Sequence, residues 1–288
     1  MAQSAVSPSL ANRRVADRAV PATRRRLDAK QPTEMELKFA ALQKDYADLH
    51  AAIFEAAQVH RRLCAPRLLK YGDFEIASEI FAVRHLPGDF FTVEQTSDGV
   101  VLALGDICGK GLAAGMWTTH LVGIARAQTA RATAPERIVA GVNREICRMS
   151  TLRPLASLFL AKLDTDTAML SYCSAGHPPA FLLRANGDFE LLSDGGLLLG
   201  VLDEAEYNCG QVRFESKDML LVFSDGILES QNASGEEFGY DRLKAELAKA
   251  NSTSADAILF SVLGAVQDFA TIRPLMDDMT LAVIRRDG

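Results

Sequence analysis

The sequence predicts an α+β fold built on antiparallel sheets, and three observations support this class. Short aliphatic and aromatic runs typical of strands alternate with longer amphipathic runs typical of helices. Their order along the chain is strands, helices, strands, helices and a last strand. Hairpin signals such as Asp98-Gly99 and Asn186-Gly187 separate neighbouring strands. Hairpins with helices grouped between them indicate a sandwich of two sheets, and 288 residues suffice for its core.

The first 70 residues differ in composition from the rest. Residues 1–32 hold seven Arg and Lys against two Asp, which predicts a disordered basic tail. Residues 33–66 are predicted as a linker helix, because apolar residues recur in steps of four and three. These residues are Met35, Phe39, Leu42, Tyr46, Leu49, Ile53, Ala56, His60 and Leu63. The period predicts either a coiled coil, giving a homodimer or a bound partner helix through 33–63, or an amphipathic helix on its own domain.

Residues 70–288 are predicted as one domain. Its strands are expected at 74–83, 90–95, 100–104, 157–163, 169–174, 180–184, 189–192, 207–214, 219–223 and 280–284, where β-branched, aliphatic and aromatic residues concentrate. Its helices are expected at 112–132, 135–149, 240–250 and 255–269. Pro135 supports the start of the second helix, since proline is tolerated in the first turn.

Charge and cysteine content exclude several functions. Residues 71–288 carry 18 basic and 30 acidic side chains, which argues against a nucleic-acid partner. The five cysteines have no zinc-finger spacing and do not suggest a disulfide framework. A reducing cytoplasm fits them best. No apolar run reaches the roughly 18 residues of a membrane span, so no membrane partner is expected.

Aspartates stand at the ends of several predicted strands. Asp89 follows a Pro-Gly turn, Asp106 and Asp225 each end an apolar run, and Asp277-Asp278 precede the last strand. A carboxylate at the tip of a buried strand is held rigidly and can still face a cleft. Hard divalent cations prefer such oxygen ligands. For each aspartate alone, a turn or helix cap is the simpler explanation.

Five motifs resemble an ordered series found in one enzyme family. They are Pro-Gly-Asp-Phe-Phe at 87–91, Gly-Asp-Ile-Cys-Gly-Lys-Gly at 105–111, Ala-Gly-His-Pro-Pro at 175–179, Ser-Asp-Gly-Ile-Leu-Glu at 224–229 and Asp-Asp-Met-Thr at 277–280. The series is similar to that of metal-dependent protein serine/threonine phosphatases of the PPM type, in the bacterial SpoIIE/RsbU-type branch. The resemblance implies a β-sandwich of two antiparallel sheets flanked by helices (α/β/β/α), here preceded by an N-terminal helix.

The same resemblance implies a reaction and its site. A water activated between two Mn²⁺ or Mg²⁺ ions would hydrolyse phosphoserine or phosphothreonine on a regulatory protein, typically a STAS-type anti-anti-sigma factor. The implied metal ligands, which are also the catalytic residues, are the carboxylates of Asp89, Asp106, Asp225 and Asp277, with the carbonyl of Ile107. Asp278 is the alternative to Asp277. The first motif departs from the family pattern, since Pro87 replaces a glycine and Thr92 an aspartate.

Other interpretations compete with this one. Cys147 and Arg153 have the spacing of cysteine-dependent phosphatases, but the segment has no glycine and is predicted to end a helix. His177 is either a phosphate contact or acid, or a hydrogen-bonded turn histidine. Lys110 is either a phosphate contact or a solvated lysine. The alternative to an enzyme is a catalytically silent domain of the same fold that acts by protein binding.

Overall fold

The structure, a computed structural model, describes residues 33–64, 67–149, 153–249, 254–270 and 275–287. The predicted disordered tail, residues 1–32, lies outside these ranges. The described part of the chain divides into two units between Ala47 and Asp48. None of the described helices is long and apolar enough to cross a membrane.

The described elements follow the predicted order closely. In chain order they are α1 (Glu34–Cys64), β1 (Leu68–Tyr71), β2 (Phe74–Phe81), β3 (Phe90–Thr96), β4 (Gly99–Ile107), α2 (Leu112–Thr129), α3 (Pro135–Cys147), β5 (Ala156–Asp164), β6 (Met169–Ala175), β7 (Ala180–Leu183), β8 (Phe189–Leu192), β9 (Gly195–Gly196), β10 (Gly210–Arg213), β11 (Met219–Phe223), α4 (Asp225–Leu228), α5 (Gly239–Lys249), α6 (Ala255–Ala270) and β12 (Met279–Arg286). One sheet has the order β1-β2-β12-β11-β7-β8. The other has the order β10-β6-β5-β4-β3, and β9 pairs with β6 in parallel.

The predicted helix at the N-terminal end is confirmed as α1. It begins at a capping box, in which Thr33 Oγ1 accepts from the Glu36 amide and the Glu36 carboxylate accepts from the Thr33 amide. Early residues of the predicted apolar stripe are exposed: Met35, Phe39, Leu42, Tyr46 and Leu49. Near its end His60 and Cys64 are buried, and Cys64 packs among the residues of α2 and α3. The last turns therefore fit the amphipathic interpretation.

Apolar residues on both faces of each sheet produce the predicted α/β/β/α layering. On β4, Leu102 and Leu104 lie in the core between the two sheets, whereas Val101 and Ala103 pack under α2 and α3. On β11, Leu221 packs against α5 and α6 on the outside of the other sheet. Each such buried leucine contributes roughly 1.5–3 kcal/mol. The predicted antiparallel sandwich flanked by helices is thus confirmed.

Three short elements were not predicted. β1 is an edge strand that pairs with β2 across a turn, and its exposed positions give no continuous apolar run. β9 is two glycines long. α4 is one turn that starts directly after β11, too short for a helical period. β10 also starts later than predicted, at Gly210. These differences leave the strand tips that carry the aspartates unchanged.

One buried carboxylate away from these tips stabilises the turn before β11. Asp218 is fully buried. Its oxygens accept from the Ala185 amide at 3.1 Å and the Glu215 amide at 2.8 Å. The Arg184 guanidinium donates to it at 2.7 Å. The carboxylate thus satisfies two backbone groups and one cation.

We expect Asp218→Ala to lower the free energy of unfolding by about 3 kcal/mol, because two backbone N–H groups and a partly buried guanidinium lose their acceptor. Urea unfolding measures this loss. Asp188→Ala is the matched control, since Asp188 lies in the exposed β7–β8 turn and its carboxylate accepts from the side chain of Asn186. The control should change stability by less than about 0.5 kcal/mol. Equal losses in the two variants would contradict this assignment.

Candidate metal centre

Asp89 and Asp106 meet because β3 and β4 pair as antiparallel neighbours. Asp89 directly precedes β3 and is 1% exposed, and Asp106 is the penultimate residue of β4. Asp89 Oδ2 accepts from Thr280 Oγ1 at 2.6 Å, which links the two sheets. Burial raises the pKa of both carboxyls, and neighbouring carboxylates raise it further. A buried and a half-buried carboxyl within hydrogen-bonding reach of each other favour a shared proton or a bound cation.

The other two predicted carboxylates come from the neighbouring strands β11 and β12. Asp225 opens α4 directly after β11, and Asp277 lies two residues before β12. Burial raises the pKa of Asp225, and the charge of Asp277 adds to this rise. Asp277 forms a salt bridge with Lys110 Nζ at 2.6 Å, and the same ammonium donates to the Met276 carbonyl at 2.6 Å. Lys110 thus neutralises part of the acidic cluster.

Asp278 has a different environment from Asp277. It is 5% exposed, whereas the side chain of Asp277 is 38% exposed. Both oxygens of Asp278 accept from backbone amides at 2.7 Å, one from Val83 and one from Gly88. These bonds hold both ends of the loop that leads to Asp89. Both oxygens of Asp278 are therefore engaged by the loop, whereas the carboxylate of Asp277 is still accessible.

Three oxygens converge beside Gly88. A Cβ placed on this glycine would lie 3.1 Å from Asp106 Oδ1, 3.1 Å from the Ile107 carbonyl oxygen and 3.3 Å from the Gly109 carbonyl oxygen. Any side chain here would push against these oxygens. Carboxylate and carbonyl oxygens on one side of a glycine fit a hard divalent cation.

Among the described residues, no three His, Cys, Asp or Glu side chains already converge in the arrangement of a metal shell. The carbonyl oxygens of Ile107 and Gly109 beside Gly88, together with water, are available to complete the shell of an ion. Magnesium commonly binds in this way, through one or two carboxylates and several waters. The residues present fit such a centre.

A cleft opens at these carboxylates, and we call it the main cleft. Asp106 and Asp225 line it together with Leu198 and Tyr240, and its volume is about 620 Å³. Glu229 also lines it and was not predicted as a site residue. Burial raises the pKa of Glu229, as does the charge of Asp225. The signal in the sequence was its position four residues after Asp225, one helical turn further on.

The competing interpretations find little support in the geometry. His177 is buried, its Nδ1 accepting from Ser157 Oγ at 2.8 Å and its Nε2 donating to the Phe223 carbonyl at 3.1 Å. Burial lowers the pKa of His177 to about 3, so it is a neutral, hydrogen-bonded turn histidine. Cys147 is the last residue of α3 and therefore has no helix N-terminus to activate its thiol.

The two departures from the family motif lie at different places. Thr92 is buried within β3, where it pairs with Ala103. Pro87 lines a cavity of about 260 Å³ together with His60 of α1 and His85. Neither replacement removes an oxygen from the group around Gly88.

Comparison with known proteins decides the family. A profile of the family described as Stage II sporulation protein E (SpoIIE) matches residues 96–287, two thirds of the chain. The chain belongs to the SpoIIE family. Asp89 lies before the matched segment, so its place in the site rests on the structure. The resemblance read from the five motifs is confirmed.

Relatives of this SpoIIE-family chain include two proteins named phosphoserine phosphatases from Bacillus subtilis. RsbU is 24% identical over 242 residues, which cover 83% of this chain and 71% of RsbU. RsbP is 20% identical over 162 residues, which cover 54% of this chain and 40% of RsbP. Both alignments are distant, so they establish kinship and leave the individual roles of residues to the geometry.

Solved structures share the fold of the SpoIIE-family domain. The SiaA-PP2C domain of Pseudomonas aeruginosa matches with a TM-score of 0.73 and 17% identity, covering 86% of this chain and all of that domain. The catalytic domain of the serine threonine protein phosphatase PstP, in complex with 2 manganese ions, matches with a TM-score of 0.54 and 16% identity, covering 75% of this chain and 99% of that one. The chain therefore has the PP2C phosphatase fold.

Proposed function

We propose that this chain is a metal-dependent phosphatase that removes phosphate from phosphoserine or phosphothreonine on a regulatory protein. The observation that carries the proposal is the pair of Asp89, which is buried, and Asp106, which is half-buried, beside the main cleft that Asp225 also lines. Lys110 neutralises only part of this negative charge, the remainder is costly where it is shielded from water, and divalent cations would relieve it. The names of RsbU and RsbP support the phosphoserine substrate.

The proposed ligands of two Mn²⁺ or Mg²⁺ ions are Asp89, Asp106, Asp225, Asp277 and the Ile107 carbonyl. Bound there, the ions would lower the pKa of a water and neutralise charge on the phosphoryl oxygens. The protein's own contribution is orientation. Thr280 fixes one oxygen of Asp89, and Thr118 Oγ1 donates to the Gly88 carbonyl at 2.7 Å. Phosphoryl transfer depends mainly on such positioning and on charge neutralisation.

The proposed substrate is a phosphorylated STAS-type anti-anti-sigma factor. Support comes from the SpoIIE/RsbU-type motifs and from the relationship to RsbU and RsbP. The acidic surface disfavours nucleic acid, and a protein partner would meet it with basic residues. The exposed apolar residues of α1 support association with a second copy or with a partner helix.

We expect the purified chain to hydrolyse p-nitrophenyl phosphate and a serine-phosphorylated STAS domain only when Mn²⁺ or Mg²⁺ is added. Phosphate release, with and without EDTA, measures this. An unchanged rate in EDTA would refute the metal requirement. Metal binding without turnover of either substrate would refute the enzyme proposal and favour the silent, protein-binding alternative.

A further inference from the structure

Four exposed apolar side chains lie in the two chain segments that border the main cleft. Leu197, Val201 and Leu202, in the loop after β9, are 53%, 45% and 53% exposed. Leu155, directly before β5, is 39% exposed. We call these four residues the loop patch. Single exposed apolar residues are common, but a local group of them is typical of a contact surface.

A buried asparagine fixes the conformation of this loop. Asn143 of α3 is fully buried. Its side-chain nitrogen donates to the carbonyls of Leu202 at 2.7 Å and Asp203 at 3.2 Å. Its side-chain oxygen accepts from the Gly200 amide at 2.9 Å. Three hydrogen bonds from one side chain hold the loop in a single arrangement, which lowers the entropy cost of binding a partner.

Gly200 brings the loop against the segment before β5. It has φ +85°, and a Cβ on it would lie 2.5 Å from the Pro154 carbonyl oxygen. The same Cβ would lie 3.5 Å from Leu155 Cδ2, so Leu155 is next to the loop. Leu199 is buried and pairs with Ala156. The loop patch is thus a preformed surface made of two chain segments.

The loop patch continues into the main cleft. Leu198 lies between exposed Leu197 and buried Leu199, and it lines the main cleft together with Asp106 and Asp225. A Cβ on Gly176, at the cleft wall, would lie 2.7 Å from Leu198 Cγ. A molecule on the loop patch would therefore extend towards the candidate metal ligands.

The surroundings of the loop patch are acidic. Asp203, Glu204 and Glu206 are exposed directly after it, and they would repel an acidic surface and attract a basic one. We infer that the loop patch is the docking surface for the phosphoprotein substrate, a folded protein with an apolar area bordered by Lys or Arg beside its phosphorylated residue. This inference rests on the proposed phosphatase function.

The test compares a folded substrate with small ones. Leu197→Asn/Leu202→Asn removes two apolar side chains from the loop patch. Leu191→Asn is the matched control, because Leu191 is 51% exposed on β8 in the other sheet. The substrates are a serine-phosphorylated STAS domain, a phosphoserine peptide of the same sequence, and p-nitrophenyl phosphate.

We expect the double variant to lose about tenfold or more in kcat/KM on the folded STAS domain, mostly through KM. Its rates on the peptide and on p-nitrophenyl phosphate should match the wild type, and Leu191→Asn should match the wild type on all three. Equal kcat/KM for the double variant and the wild type on the folded domain would overturn the docking inference. So would an equal loss on all three substrates, which would indicate a disturbed site.

Failure of the proposed function gives a different result. In that case the wild type would not hydrolyse p-nitrophenyl phosphate with Mn²⁺ or Mg²⁺. If the wild type hydrolyses p-nitrophenyl phosphate and the peptide but not the folded STAS domain, the proposed partner class is wrong and the docking inference falls with it.

Discussion

Asp225→Asn is expected to lower metal-dependent phosphate release by about 10²–10³-fold while the circular dichroism spectrum stays unchanged. The amide keeps the size of the side chain but loses the negative charge that a divalent ion requires. Asp225 is the first residue of α4, a helix of only four residues, so a local change there would leave the spectrum nearly unaltered. Calorimetric titration with Mn²⁺ should show weaker binding. Near-native turnover by this variant would refute the assignment of Asp225 as a metal ligand.

Metal-free protein provides a second measurement on the same variant. The pKa of Asp225 is higher in the folded protein than in the unfolded chain, so the folded state favours the protonated carboxyl. The stability that this preference contributes is complete below the unfolded pKa and is lost as pH rises through the folded pKa. Asparagine does not ionise. We therefore expect the variant to melt at a higher temperature than the wild type at about pH 8, with the difference vanishing near about pH 4.

Added Mn²⁺ should stabilise the wild type more than the variant. Asp188→Asn, in the exposed turn, is the control and should follow the wild type.

Local sequence signals accounted for most of the fold and for one pair of the carboxylates. Asp89 and Asp106 lie together because β3 and β4 form a hairpin, and Asp98-Gly99 predicted this hairpin. Because a hairpin fixes the register of both its strands, the two strand tips must lie together. The clustering of Asp225 with Asp277 needs the pairing of β11 with β12, which are far apart in the chain. Only the family resemblance predicted that Asp225 and Asp277 share a site.

Roles that depend on long-range contacts could not be read from the sequence. Asp277 and Asp278 are adjacent aspartates, and their difference arises from the loop at 83–88, some 190 residues away in the chain. Asn143 gave no signal either, since a polar residue on a helix is usually solvated. Asn143 is buried because the loop after β9, which is distant in the chain, packs over it. Such contacts are set by tertiary packing, which overrides local pattern.

The adjacent substitutions Asp277→Ala and Asp278→Ala should therefore both lower turnover but differ in their effect on stability. Asp278→Ala removes the acceptor of the Val83 and Gly88 amides, so we expect a loss of about 2–4 kcal/mol in the free energy of unfolding. The loosened loop would misplace Asp89, and a displacement of this kind costs about 10²-fold in rate. Urea unfolding and phosphate release measure the two effects.

Asp277→Ala serves as the matched variant, and its effect should be catalytic. The salt bridge between Asp277 and Lys110 is 38% exposed on both sides, and such pairs contribute less than about 1 kcal/mol. Stability should therefore change little, while Mn²⁺ affinity and turnover fall because a proposed ligand is gone. If Asp278 were the ligand instead, Asp277→Ala would keep its Mn²⁺ affinity. Asp278→Ala would then lose Mn²⁺ affinity, and its free energy of unfolding would be no lower than that of Asp277→Ala. The combination of unfolding and Mn²⁺ titration thus separates a residue that binds the ion from one that holds the loop beside it.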